Sequence, residues 1–286
     1  MTRHKKFIGI DLGGTKVNVG LVEGDKVVKS IYAKLPQNSE SEWDVIQLII
    51  DLLKEVISEH NVEGIGIGVP SILNRKDGII HEVQNIPTWH KVPLKNILMK
   101  EFNIPVFIDN DANCFALEEY HFGRGKGCQH FVGLTLGTGM GSGIITNGQL
   151  MDDANCGSGE FGMIPYMDGI VEDYCSGKFF KIQYNSTGEE LMKLADQGDE
   201  KALLALQQYG NHLGNAIKTI LYAIDPKMVV IGGSVLKSAS FFEESLQKSI
   251  QDFSYKKVLE QFQIKYSNTP NIAVLGAASL CFDVLK

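Results

Sequence analysis

A glycine-punctuated pair of strands occurs twice in this chain of 286 residues. The segment FIGIDLGGTK at residues 7–16 is echoed by FVGLTLGTGM at residues 131–140. The positions that coincide are Phe7 with Phe131, Gly9 with Gly133, Leu12 with Leu136, and Gly13 with Gly137. Self-similarity of this kind indicates two related halves. In each half we predict a tight hairpin whose glycine N–H groups can approach an anion.

Strand and helix patterns alternate along both halves, which predicts an α/β fold with mixed sheets. Apolar residues at helical spacing predict helices at about 41–60 and 199–224. The run from Gly64 to Val69 is predicted to be a buried strand whose glycines let another backbone come close. Residues 71–90 and 147–172 show little periodicity and are predicted to be loops.

The overall composition excludes several classes of protein. The net charge is −7 and the sequence has no basic stripe, which argues against a nucleic-acid partner. No apolar run reaches the roughly 20 residues that a membrane span needs, so no membrane partner is expected. The five cysteines have no paired spacing, which is typical of a reducing cytoplasm.

Five short motifs follow one another along the chain. They are DLGGTK at 11–16, DNDAN at 109–113, GTGMG at 137–141, GEFG at 159–162, and DP followed by IGG between Asp225 and Gly233. In this order and spacing, the sequence resembles the ROK family of sugar kinases and repressors, from residue 7 to about residue 280. Repressor members carry a DNA-binding segment before the first hairpin. Only six residues precede Phe7 here, so we expect the kinase branch.

The resemblance implies a particular fold, because the ROK family belongs to the actin-like ATPase superfold. The expected structure is a two-lobed, ribonuclease H-like α/β fold with duplicated mixed sheets and a central cleft. The N-terminal lobe is predicted to contain residues 1–115 plus 272–286, and the C-terminal lobe residues 116–271.

Asp11 follows an apolar strand at a turn, where its carboxylate can hold a hydrated Mg²⁺ beside triphosphate oxygens. The alternative is an aspartate that accepts hydrogen bonds from the turn. The resemblance implies an ATP site formed by Asp11, Gly13, Gly14, Thr15, Lys16, Gly137, Thr138, Gly139, Gly232 and Gly233, with the last two beside the adenosine. Lys16 is interpreted equally well as a surface residue. For the second hairpin the alternatives are a plain glycine turn or a dinucleotide fingerprint, and the G-x-G-x-G spacing followed by a strand disfavours the fingerprint.

Asp111 is the predicted catalytic base. Phosphoryl transfer depends on positioning and charge neutralisation, with one carboxylate accepting the hydroxyl proton. An aspartate is ionised at neutral pH and ready for this role. The resemblance places the base second in the motif, after Asn110, so Asp109 is expected to be a structural residue or a helix cap. The alternative for Asp111 is itself a helix cap.

Sugar contacts are also implied by the resemblance. The expected sugar-binding residues are Asn85, Asn110, Asp111, Glu160 and Glu172. A helix-start charge is an equally open interpretation of Glu172.

The sequence departs from the family at the zinc motif. The family's histidine is Met163 here, and no Cys or His lies between Glu160 and Glu172. Structural zinc needs four such ligands, which Cys156 and Cys175 cannot supply alone, so no zinc is expected. The loop is expected to be held by packing of the side chains of Met163, Ile164 and Met167. A family glycine is also replaced, by Ser71.

The resulting prediction is an ATP-dependent hexose kinase that transfers the γ-phosphoryl group to a 6-hydroxyl, as a glucokinase does. N-acetylmannosamine, N-acetylglucosamine and fructose are alternative acceptors. A non-catalytic sugar sensor is disfavoured because Asp11, Asn110 and Asp111 are present. An actin-like structural ATPase is disfavoured because it has no use for Glu160. The expected ligands are a sugar, ATP and Mg²⁺ without zinc, in a cytoplasmic protein whose assembly as a homodimer is left open.

Overall fold

The computed structural model describes residues 5–36, 40–58, 60–71, 73–83, 86–154, 157–269, 272–282 and 284–285. Its internal contacts divide the chain into two compact units. Unit 1 comprises Met1–Lys126, Leu150–Ser158 and Thr269–Lys286, and unit 2 comprises Gly127–Gln149 and Gly159–Asn268. The sequence predicted different boundaries, with one lobe of residues 1–115 plus 272–286 and the other of residues 116–271. These lobe boundaries stay a prediction.

The elements are numbered in chain order. The strands are β1 (Lys6–Leu12), β2 (Lys16–Glu23), β3 (Lys26–Lys34), β4 (Gly64–Val69), β5 (Leu73–Asn74), β6 (Ile79–Glu82), β7 (His90–Val92), β8 (Val106–Asn110), β9 (Phe131–Leu136), β10 (Met140–Thr146), β11 (Gln149–Leu150), β12 (Pro165–Tyr166), β13 (Gly169–Ile170), β14 (Met228–Gly232) and β15 (Gln263–Tyr266). The helices are α1 (Glu42–Ile57), α2 (Leu94–Phe102), α3 (Asp111–His121), α4 (Val171–Cys175), α5 (Gly177–Tyr184), α6 (Gly188–Asp196), α7 (Glu200–Ile224), α8 (Ala239–Ile250), α9 (Lys256–Leu259) and α10 (Ile272–Ser279). Among the described residues, no helix combines the length and the apolar character that crossing a membrane would require.

Each unit is built on a five-stranded mixed sheet with the same strand order. In unit 1 the order is β3-β2-β1-β4-β8, where β1 is antiparallel to β2 and parallel to β4. In unit 2 the order is β11-β10-β9-β14-β15, where β9 is antiparallel to β10 and parallel to β14. The predicted duplication of mixed sheets is therefore confirmed.

Helices cover the unit 1 sheet because its central strands are apolar on both faces. The strand sequences KFIGIDL and GIGIGV are almost completely buried, as expected for strands packed on both sides. The buried stripe of α1 belongs to the same apolar cluster as these strands; it consists of Val45, Ile46, Ile49, Ile50, Leu53 and Val56. A second cluster joins Phe7 and Val22 to Val274, Leu275 and Ala278 of α10.

The packing of α10 depends on glycine in the central strands. A Cβ atom at Gly66 would lie 1.8 Å from the backbone oxygen of Ala277. The main chain of α10 therefore rests directly on β4, which confirms the close backbone approach predicted for the segment from Gly64 to Val69.

Three segments differ from the sequence prediction. Residues 71–90, expected to be a loop, contain the small sheet β5-β6-β7, and the loop predicted at 147–172 contains the hairpin β12-β13. Strand β15 was not predicted. These strands are two to four residues long, too short to show the alternation that identifies a strand in sequence.

We expect Gly66→Ala to lower the unfolding free energy of unit 1 by about 1–3 kcal/mol, because the added methyl group would displace α10 from the sheet. Thermal unfolding of the purified variant measures this. Gly157→Ala is the matched control, since a Cβ there meets nothing within 4 Å. Equal melting temperatures for the two variants would contradict the assigned packing role of Gly66.

Candidate active site

Parallel strands of unit 1 end at one edge of the sheet and bring carboxylates together there. Asp11 of β1 pairs with Gly68 of β4, and Gly68 pairs with Asp109 of β8. The chain then turns through Asn110 into α3, whose first residue is Asp111. Two segments that are about a hundred residues apart in sequence therefore meet at this edge.

The first turn of α3 lies directly against the end of β4. A Cβ atom at Gly68 would be 3.8 Å from the Cα of Asp111 and 3.2 Å from the Sγ of Cys114. Burial, followed by the charges of Asp109, Asp111 and Asp11, raises the pKa of Cys114 well above its ordinary value. The three carboxyl groups thus lie within electrostatic range of one buried thiol.

Asp109 is a buried structural residue. Its side chain is 3% exposed, and its Oδ2 lies 2.7 Å from the Nε of Arg75. Its Oδ1 accepts hydrogen bonds from the Nδ2 of Asn113 at 2.8 Å and from the backbone N–H of Asn110 at 2.7 Å. Arg75 also donates to the carbonyl oxygen of Met151 at 3.1 Å. The guanidinium group therefore neutralises Asp109 and ties the segment around Met151 to the sheet edge.

Asn110, rather than either aspartate, is the N-cap of α3. Its Oδ1 accepts from the backbone N–H of Ala112 at 2.8 Å, and its Nδ2 donates to the carbonyl oxygen of Ser71 at 3.3 Å. Both ends of the amide are therefore engaged within unit 1. The residue that replaces the family glycine, Ser71, is buried and supplies this acceptor.

Asp111 is solvent-exposed at the first position of α3. Its Oδ1 accepts from the N–H of Ala112 at 2.8 Å. The positive end of the helix favours the ionised carboxylate. The position suits a base that must be accessible and negatively charged.

Asp11 is half-buried beside the first glycine turn, in which the N–H of Gly13 donates to the carbonyl oxygen of Lys16 at 2.9 Å. Burial raises the pKa of Asp11, and the charge of Lys16 lowers it in part. A carboxylate that is desolvated in this way gains most from a nearby cation, and Mg²⁺ prefers oxygen ligands. Asp11 therefore fits a hydrated Mg²⁺. Gly14 lies in the same turn, where Thr15 and Lys16 are exposed.

In unit 2 the two glycine segments predicted for the nucleotide lie side by side. The N–H of Gly137 donates to the carbonyl oxygen of Gly139 at 3.0 Å across the exposed Thr138. Gly232 pairs with Thr135, two residues before that turn. Gly233 has a φ of 99°, and a Cβ there would lie 2.2 Å from the carbonyl oxygen of Leu136, so only glycine fits.

The turn between α4 and α5 donates hydrogen bonds to carbonyl oxygens of the β9–β10 hairpin. The N–H of Gly177 donates to the carbonyl oxygen of Gly137 at 2.7 Å. The Oγ of Ser176 donates to the carbonyl oxygen of Thr138 at 3.2 Å. These bonds fix the hairpin in one conformation, as a preorganised anion site requires.

Glu172 connects a predicted sugar contact to this hairpin. Its Oε2 accepts from the backbone N–H of Met140 at 2.8 Å, and its Oε1 accepts from the Nζ of Lys178 at 2.5 Å. Burial, and then the charge of Glu172, raise the pKa of Glu160. The two glutamates therefore lie within electrostatic range of each other in unit 2.

The expected packing of the loop between the two glutamates is wrong for its two methionines, whereas Ile164 is partly buried. Met163 is 59% exposed and Met167 is 71% exposed, so these side chains do not hold the loop. The backbone is paired instead, since the N–H of Val171 donates to the carbonyl oxygen of Ile164 at 2.9 Å. The aromatic ring of Tyr166 lies 5.8 Å from the ring of His212 on α7.

Two residues named in the sequence analysis and the zinc prediction remain. Asn85 and Cys156 lie outside the described residues. Within the part of the chain that is described, no three His, Cys, Asp or Glu side chains are grouped to hold a metal ion. Cys175 is buried, and burial raises the pKa of its thiol. The expected absence of zinc stays a prediction.

Arg75, Lys178 and His212 are the site-supporting residues that the sequence did not reveal. Arg75 contacts Asp109, and Lys178 contacts Glu172. His212 contacts Tyr166 in the loop between Glu160 and Glu172. Arg75 is 34 positions from Asp109, and His212 is 46 positions from Tyr166. Such contacts leave no periodic signal in a single sequence.

Comparison with known proteins gives one consistent relationship. A model of the ROK family matches residues 7–284. A glucokinase of Thermotoga maritima is 30% identical, over 96% of this chain and 96% of that protein. An N-acetyl-D-glucosamine kinase of Yersinia pseudotuberculosis is 29% identical, over 83% of this chain and 86% of that protein. The crystal structure of a ROK hexokinase from Thermus thermophilus superimposes with a TM-score of 0.84 at 26% identity, covering 98% and 99% of the two chains. The predicted actin-like ATPase fold is confirmed.

Farther along α3, two buried carboxyl groups follow each other. Glu118 and Glu119 are both fully buried. The Oε2 of Glu119 accepts from the backbone N–H of Arg124 at 2.6 Å. Burial, and then the charge of Glu119, raise the pKa of Glu118 to about 8, although a hydrogen bond with Thr269 lowers it in part.

This raised pKa makes stability depend on pH. Between about pH 4.5 and pH 8 the unfolded chain loses the Glu118 proton while the folded chain keeps it, so stability falls as pH rises through this window. We expect Glu118→Gln to match the wild type at pH 5 and to melt several degrees higher at pH 9. Melting curves at the two pH values test this, with the exposed Glu55→Gln as control. A difference that does not change with pH would contradict the assignment.

Proposed function

This chain belongs to the ROK family, and we propose that this ROK sugar kinase transfers the γ-phosphoryl group of ATP to the 6-hydroxyl of a hexose, with glucose as the first candidate. N-acetylglucosamine, N-acetylmannosamine and fructose are the alternative acceptors. One observation carries the proposal: a single sheet edge contains both an exposed carboxylate at a helix N-terminus, Asp111, and a half-buried carboxylate, Asp11.

Asp111 is the proposed base. It accepts the proton of the sugar hydroxyl while that oxygen forms a bond to the γ-phosphorus and the bond from the γ-phosphorus to the bridging oxygen of ADP breaks. The N-terminus of α3 keeps the carboxylate ionised and ready for the proton. Asn110 is the N-cap of α3, and the Oδ1 of Asp111 shares the N–H of Ala112 with it, so capping does not depend on Asp111 alone.

The nucleotide is assigned to both glycine turns. In unit 2, the residues assigned to the phosphates and the adenosine are Gly137, Thr138, Gly139, Gly232 and Gly233, of which four are glycines without a side chain that would block a ligand. In unit 1, the residues assigned to the phosphates are Asp11, Gly13, Gly14, Thr15 and Lys16. Bound Mg²⁺ would neutralise phosphate charge during transfer, and Asp11 is the residue proposed to hold it through water.

The sugar is assigned to Asn85, Asn110, Asp111, Glu160 and Glu172. Carboxylates and amides accept and donate hydrogen bonds to several hydroxyls, which is how a site fixes the orientation of a sugar. Glucose is placed first because the glucokinase of Thermotoga maritima matches more of this chain than the N-acetyl-D-glucosamine kinase does. A non-catalytic sugar sensor is less well supported, since it would not require Asp11 and Asp111 at one edge.

ADP release measured over a panel of hexoses, with ATP and Mg²⁺, tests the proposal. We expect turnover with glucose to exceed turnover with the other sugars, and the product to be phosphorylated on the 6-hydroxyl. Activity should disappear with EDTA, return with added Mg²⁺, and be unaffected by a zinc-selective chelator. Sugar binding without ADP release from any panel member would favour the sensor instead.

The variant Asp111→Asn is expected to keep the fold and the sugar affinity while turnover falls by about 10² or more, because only the proton acceptor is removed. Turnover, sugar binding by calorimetry and the melting temperature are the measurements. Asp25→Asn, an exposed carboxylate in the β2–β3 turn, is the control and should behave as wild type. Unchanged turnover in Asp111→Asn would exclude this residue as the base.

A further inference from the structure

The segment that joins the two proposed sugar carboxylates folds into a short hairpin. We call residues 160–172 the sugar loop. Within it, Pro165 pairs with Ile170 and Tyr166 pairs with Gly169. A two-stranded hairpin of this length has too few contacts to be stable by itself. Its order must come from contacts with the rest of unit 2.

The hydroxyl of Tyr166 supplies one such contact. It accepts a hydrogen bond from the Nδ2 of Asn215 at 2.9 Å and lies 3.1 Å from the Nδ1 of His212. Burial lowers the pKa of His212, which favours the neutral imidazole. The hydroxyl of Tyr166 therefore lies between two polar side chains, with the amide of Asn215 donating to it and the Nδ1 of His212 within hydrogen-bond distance. Both partners are on α7, a helix of 25 residues that is anchored in the core.

His212 also contacts the helix that follows the sugar loop. Its ring centroid is 5.0 Å from that of Tyr174, which lies two residues after Glu172 on α4. The rings of Tyr166 and Tyr174 are 5.3 Å apart in an edge-to-face arrangement, a favourable geometry for aromatic pairs. A single imidazole therefore contacts both the hairpin in the middle of the loop and the helix that carries Glu172.

The surroundings do not hold these rings by packing alone. An open cavity of about 660 Å³ borders the cluster, lined in part by Tyr174, Phe179 and His212. The exposed side chains of Met163 and Met167 contribute little burial to the loop. The hydroxyl of Tyr174 donates to Asp168 in the turn of the hairpin, and the polar contacts of Tyr166 join the hairpin to α7.

We propose that Tyr166, His212 and Asn215 are positioning residues, which hold the sugar loop on α7 and thereby set the positions of Glu160 and Glu172 for sugar binding. The inference rests on the proposed function, because it assumes that the two glutamates contact the sugar. The three side chains do not themselves take part in phosphoryl transfer.

Two variants test the proposal without removing the rings. Tyr166→Phe deletes the hydroxyl, and His212→Phe deletes its Nδ1 partner while keeping an aromatic ring. Tyr222→Phe is the matched control, since it deletes a tyrosine hydroxyl on the same helix that bonds the Oγ of Ser254 at 2.9 Å, outside the sugar loop. Amide hydrogen exchange is followed for residues 164–171, together with steady-state kinetics for the sugar and for ATP.

In both test variants we expect exchange in residues 164–171 to become about tenfold faster, since losing one or two hydrogen bonds weakens the closed loop by about that factor. The KM for the sugar should rise about tenfold, while kcat and the KM for ATP stay within about twofold. The control should match the wild type. The split between the two KM values separates positioning of the sugar loop from general destabilisation.

Unchanged exchange in both variants would overturn the anchoring role. Faster exchange with an unchanged KM for the sugar would overturn the positioning role. If the wild type phosphorylates no sugar, the proposed function fails, and the positioning of sugar contacts fails with it. The exchange measurement would then still decide whether the cluster anchors the loop, so the two failures are distinguishable.

Discussion

The register between parallel strands in unit 1 determines where the chemistry can take place. Because Asp11 pairs with Gly68 and Gly68 with Asp109, the ends of β1, β4 and β8 are level, and the helix after β8 starts at the same edge. A shift of one residue in this register would turn the side chains of a strand to the other face of the sheet. The positions of the base proposed for phosphoryl transfer and of the carboxylate proposed for Mg²⁺ are therefore set by the backbone hydrogen bonds between the strands.

Bringing carboxylates together at one edge has an electrostatic cost, which the structure offsets in different ways. Asp109 is buried and is neutralised by Arg75, with two further hydrogen bonds from Asn113 and Asn110. A buried charge of this kind requires both a partner and hydrogen bonds to be tolerated. Asp111 instead remains exposed to solvent at a helix N-terminus. Two aspartates of one motif thus have different roles, because the side chain of Asp109 is buried and that of Asp111 is exposed to water.

In unit 2 the contacts proposed for the sugar and for the nucleotide share their supports. Glu172 accepts from the N–H of Met140, directly after the glycine turn, and Tyr174 on the same helix packs on His212. The glycine turn, α4 and the sugar loop are therefore mechanically connected through a few side chains. A ligand that moves Glu172 would strain or break its hydrogen bond with the N–H of Met140. The movement would therefore affect the β9–β10 hairpin.

The sequence by itself determined the α/β class, the duplication and the segments that are proposed to carry the chemistry. The repeat from Phe7 to Gly13 and from Phe131 to Gly137 appears as two equivalent hairpins, because glycines and apolar residues specify a turn and its flanking strands locally. Only the tertiary structure decided that Asn110 caps α3, that Arg75 neutralises Asp109, and that His212 contacts both Tyr166 and Tyr174. Each of these contacts joins residues through side-chain packing or the direction in which a side chain points. Neither property leaves a periodic trace in one sequence, since both depend on how distant segments meet.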